Sequence, residues 1–113
     1  MVNLSIHNGI LTVHLSELNA FKTTLRVPLA QVRSAELDPR ELEALSEHFN
    51  LAPYPQQFEY EDLFGKRRVL WTVRNPERAI GISLEGTYFD RLILEVPEPI
   101  ETVGSLRRAA GFR

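Results

Sequence analysis

The chain contains no cysteine, which excludes a disulfide scaffold, thiolate metal ligands and thiol redox chemistry, and agrees with a cytoplasmic protein. No apolar run approaches the roughly 18 to 20 residues that a membrane-spanning helix needs. Charge of one sign is not in excess either: 13 Lys and Arg stand against 15 Asp and Glu, a net charge of -2. A global basic field that would draw the chain to nucleic acid or anionic lipid is therefore missing. The opening segment Met1-Val2-Asn3-Leu4-Ser5-Ile6-His7 breaks its apolar residues with polar ones and has no basic leader, which argues against a signal peptide. Catalytic signatures are lacking as well. There is no Gly-x-Ser-x-Gly, Gly81 and Gly86 are isolated, and Gly65-Lys66 lacks the preceding glycine and following hydroxyl of a phosphate-binding loop. His7, His14 and His48 do not fall at metal-ligand spacing. The expectation is a non-enzymatic protein without cofactor or metal.

What is present is a foldable pattern. At 43% hydrophobic and 25% charged over 113 residues, the chain forms one domain, 1–113. Val2, Leu4 and Ile6 alternate with polar residues, as do Leu11, Val13 and Leu15, and Asn8-Gly9 between them suits a tight hairpin turn because both positions need positive φ. His7 and His14 then have the chance to pair across the hairpin. Phe21–Val27 and Leu29–Leu37 read as extended, with Pro28 marking an edge, bend or bulge. Asp38-Pro39-Arg40-Glu41 reads as a helix start, with Asp38 as N-cap, and predicts a short internal helix near 39–48. Strands follow around Phe58–Glu61, Val69–Val73, Ile80–Leu84 and Leu92–Val96, separated by turns at Phe64-Gly65, Arg74–Glu77 and Glu85–Thr87. Trp71 is in phase with Val69 and Val73, so its place is the core, with an indole N–H that needs a partner. Ile100, Val103, Leu106 and Ala110 recur at helical spacing; Glu98 and Glu101 precede them, Arg107 and Arg108 close the segment, and Gly111 is placed to cap it. The sum is a mainly β (α+β) chain of about six or seven strands, an antiparallel sandwich or partial barrel capped by a C-terminal amphipathic helix.

Strands first and one amphipathic helix last is an order similar to the pleckstrin-homology-like fold. The segments Val27–Val32, Trp71–Ile80 and Tyr88–Val96 resemble a group of small bacterial PH-like domains. The resemblance implies a binding or scaffolding domain of largely unassigned role. It does not extend to phosphoinositide binding, because the first turn, His7-Asn8-Gly9-Ile10, carries no Lys or Arg to hold a phosphate.

Two groups of residues are candidates for a binding surface. Tyr54, Phe58, Tyr60 and Phe64 lie in the aromatic, proline-interrupted stretch from Phe49 to Phe64, where they either line a groove or plug the sheet's open end. Arg67, Arg74 and Arg78 form a basic patch at the barrel mouth if the fold gathers them. The leading reading is a binding or assembly module acting through protein contacts, with a protein partner or self-association into an oligomer, at an exposed strand edge or the Tyr54–Phe64 segment. The alternative is a small-molecule or anion-binding domain using the three arginines. Nucleic acid binding is not expected, because basic residues interleaved with aromatics occur only from Arg67 to Trp71.

Overall fold

The computed structural model describes residues 2–15, 24–42, 56–63 and 65–111, with positions 56, 58, 60 and 62 described in backbone alone. Tyr54, Phe64, His48 and the body of the predicted internal helix lie outside the described residues. Strands β1 (Asn3–His7), β2 (Ile10–His14) and β3 (Thr24–Pro28) form an antiparallel meander. A second sheet holds β4 (Val32–Leu37), β5 (Gln56–Asp62), β6 (Gly65–Thr72), β7 (Ala79–Leu84) and β8 (Arg91–Glu95) in the order β4-β7-β8-β6-β5. The C-terminal helix α1 spans Pro99–Ala110.

The hairpin between β1 and β2 closes as its residues dictate. Asn8 and Gly9 take φ of 51° and 76°, the mirror-image turn whose twist matches two paired strands. His7 therefore pairs with Ile10, and His14 with Asn3 four rungs away. The two histidines do not meet across the hairpin, because a two-residue turn fixes the register and sends them to opposite ends. His14 instead lies 3.4 Å from the Ser5 hydroxyl. Pro28 ends β3, and the turn Leu29–Gln31 carries the chain from one sheet to the other.

The second sheet is covered on both faces, which explains its nearly continuous apolar strands. On one face Leu70, Ile80, Ile82, Leu84, Leu92 and Leu94 pack with Leu11, Val13 and Val27 of the first sheet and with Val103 and Leu106 of α1. Val32 and Ala35 join the same cluster although three residues apart, since a register shift between Val32 and Ser34 rotates the chain between them. On the opposite face Val69, Trp71, Val73, Ala79 and Ile93 form a second cluster against Leu42. Trp71 is buried there, and its indole donates to the Val73 carbonyl at 3.0 Å.

Three expectations need correction. The second sheet is not wholly antiparallel: β8 lies between β6 and β7 and runs parallel to β6. Asp38 is not a helix cap. It takes φ of 48°, the helix begins at Glu41, and the Glu41 carboxylate is bound by Arg91. In α1, Val103 and Leu106 are buried as expected, but Ile100 is 75% exposed. At 100° per residue it stands about 90° off the mean direction of Val103, Leu106 and Ala110.

Candidate functional site

The sheets present four outer edges, and the residues along each decide how open it is. Edge β4 is covered by α1, where the Arg107 guanidinium donates to the Ala35 carbonyl at 2.9 Å. Edge β5 carries Glu59, Glu61 and Asp62, and edge β3 carries Arg26 and Pro28. Charge and proline on an edge hinder addition of a further strand. Edge β1 reads Asn3-Leu4-Ser5-Ile6-His7, with no Lys, Arg, Asp, Glu or Pro.

The register fixes which backbone groups β1 offers. His7 and Ile10 flank the two-residue turn and so form a hydrogen-bonded pair; Ser5 with Thr12 and Asn3 with His14 follow the same phase. The N–H and C=O groups of Leu4 and Ile6 consequently point away from β2. Val2 shares that phase, and its N–H is taken by the Glu95 carbonyl at 2.8 Å. One rung of a ladder along the outer edge of β1 is thus already made by the end of β8. The chain abandons that ladder at Pro97, which has no N–H to donate.

A groove of about 530 Å³ opens along the vacated edge. Leu4 and Ile6 supply its accessible apolar surface above the buried Val96 and Leu106, and Glu98, Glu101, Thr102 and Ser105 line its polar side. Ile6 is 37% exposed, so an apolar side chain faces solvent at the groove. The helix side follows from spacing, since Glu101, Thr102 and Ser105 share one face of α1 and Glu98 immediately precedes the helix.

The groove's end is held firmly. The bridge 73–78 passes over the end of β8, and the Glu95 carboxylate accepts from the backbone N–H of Arg74 at 2.7 Å and of Asn75 at 2.9 Å. Val96 N–H donates to the Arg78 carbonyl at 3.0 Å, and the Arg78 guanidinium donates to the Pro97 carbonyl at 2.6 Å. Asn75 caps the short turn Pro76–Arg78 by accepting from Glu77 N–H.

The arginines Arg67, Arg74 and Arg78 are not gathered at one mouth. Arg67 lies at the start of β6 and Arg74 beyond its end. The strand from Arg67 to Thr72 alone separates them by roughly 16 Å. Arg78 is exposed, and its guanidinium donates to the Pro97 carbonyl. Phe58 and Tyr60 occupy rungs of β5 opposite Val69 and Arg67, while Tyr54 and Phe64 lie outside the described residues. The opposed charges of β5 and β6 meet as their sequence suggests: Glu59 is in register with Arg68, 3.2 Å from its Nε. Arg68 also lies over the exposed Tyr88 ring, 4.6 Å from its centroid.

A second constellation is structural. Arg91, only 9% exposed, grips Glu41 with two bonds of 2.7 Å and reaches Glu36 at 2.6 Å and the Ser83 hydroxyl at 2.7 Å. Burial works against both charges. For Glu41 the hydrogen bonds and positive charge of Arg91 outweigh that cost and hold its carboxyl below its usual value. For Arg91 the hydrogen bonds and charges of Glu41 and Glu36 likewise prevail and hold the cation firmly protonated. The network ties the segment at 41 to β4, β7 and β8.

The groove residues were invisible to motif reasoning because none belongs to a catalytic or ligand signature. The signal lay in the strand edges: among the described outer strands, β1 alone lacks Lys, Arg, Asp, Glu and Pro. Comparison of the chain with protein-family models, curated proteins and solved structures gives no match.

Proposed function

We propose that this chain is a binding module acting through protein contacts, with no catalytic centre of its own, and that its working surface is the outer edge of β1. An extended segment of a partner adds there as a fourth strand of the first sheet. Main-chain bonds to Leu4 and Ile6 supply affinity, and the groove beside them supplies selectivity. The observation that carries this reading is the rung from Val2 to Glu95, after which, among the described residues, the same edge has no strand paired to it and borders a groove. The PH-like resemblance agrees with a binding role, but the proposal does not depend on it.

The test is a selection of displayed random peptides on the whole chain, followed by measurement of each selected peptide against Ile6→Pro. Proline at position 6 removes one N–H facing the groove and leaves the rungs to β2 at 3, 5 and 7 untouched. Selected peptides should bind the variant at least about tenfold more weakly, a difference of 1.4 kcal/mol, and should shift the amide resonances of Leu4 and Ile6. Peptides that bind both proteins equally, or a selection that yields none, would remove the β1 edge as the working surface.

A further inference from the structure

The charged residues lining the groove are of one sign. Glu98 and Glu101 stand at the end where β8 leaves the ladder; the remaining polar groups are the Thr102 and Ser105 hydroxyls and the Asn3 and Ser5 side chains. Both carboxylates are exposed, and among the described residues no ion pair engages either of them. Arg78 and Arg107 donate to the Pro97 and Ala35 carbonyls. Beside this acidic end the exposed surface of Leu4 and Ile6 is apolar. A strand lying along β1 alternates its side chains between two faces, so one face of the occupant meets the apolar surface and the groove's end meets a carboxylate pair.

Resting on the strand-addition reading, we propose that the occupant is a single extended segment with apolar residues at alternate positions and a Lys or Arg at the Pro97 end. A second copy of this chain is a poorer fit. Its β1 carries β2 along its other side, whereas here α1 forms the opposite wall of the groove. A lone strand has no such neighbour to accommodate. Complementary charge of this kind sets register and partner choice more than it adds raw affinity.

The probe is a short fluorescein-labelled peptide alternating Val and Lys, compared with its Val and Glu counterpart and with a Val and Lys version methylated on the backbone nitrogens. Anisotropy on the whole chain should show the Lys peptide binding at least about tenfold tighter than the Glu peptide at low salt. The Glu98→Gln, Glu101→Gln double variant should abolish that preference, and backbone methylation should abolish binding. If the Lys and Glu peptides bind alike while methylation or Ile6→Pro removes both, the cationic specificity is wrong and strand addition stands. If methylation and Ile6→Pro leave the Lys peptide's binding intact, strand addition itself is wrong. Should neither peptide bind while sedimentation shows a dimer that Ile6→Pro dissociates, the occupant is a second copy and the peptide proposal is overturned.

Discussion

At the residue scale, Gly81 shows how a small residue is dictated by a large neighbour. It lies on the face of β7 across which Arg91 extends toward Glu41. A Cβ built on Gly81 would stand 2.7 Å from the Arg91 Nη2 and 2.9 Å from the Pro39 Cβ. Neither can yield easily, since the guanidinium is fixed by carboxylates and Pro39 is part of the chain that covers the sheet. Gly81→Ala should therefore lower stability by about 1 to 3 kcal/mol, the usual cost of overpacking, measured by denaturant unfolding; an unchanged midpoint would show that the network shifts freely. Sequence alone could not have found this. Gly81 reads there as an isolated glycine in a strand, and Arg91 as one more charge, because their meeting depends on which strands become neighbours.

At the element scale, the Glu41–Arg91 pair joins the start of the internal helix to the middle of the sheet. Glu41 holds its carboxyl below the ordinary value of 4.5, so the charged form favours the fold. Its stabilisation is fully present above that pH and is lost as pH falls through the depressed folded value. The melting temperature of the native chain should thus drop more steeply with acid below pH 4.5 than that of Glu41→Gln, which should already be about 3 kcal/mol less stable at neutral pH. Parallel melting curves for the two proteins would contradict this account. Local patterns made most elements legible: the Asn8-Gly9 hairpin, the Asn75-Pro76 turn, the core place of Trp71 and the span of α1 all follow from neighbours in sequence. The start of the internal helix did not, because Asp38 and Glu41 satisfy a capping pattern that a buried arginine from a distant strand overrides. The groove beside β1 escaped for a related reason. An edge exists only once sheet order is known, and strand order is a property of pairing across the chain.

At the scale of the whole molecule, three locally paired units can be distinguished: the β1–β3 meander, the β5–β6 hairpin and the β7–β8 hairpin. Each pairs strands adjacent in sequence, which closes short loops at small entropic cost. The parallel contact of β6 with β8, in register from Val69 with Arg91 to Thr72 with Leu94, joins two of these units. It requires β8 to enter the gap between β6 and β7 beneath the bridge 73–78. That ordering has a kinetic consequence. The hairpins can form independently, but β8 cannot take its place until the bridge is spanned and Glu95 is seated against Arg74 and Asn75. Pulse-labelled hydrogen exchange during refolding should find the β5–β6 and β1–β2 amides protected before those linking β6 to β8, and simultaneous protection would argue for a single concerted step. Because the groove's end is made of the residues just after β8, the groove would then mature after the hairpins. A newly made copy would pass through folding with its β1 edge formed before the wall beside it is complete.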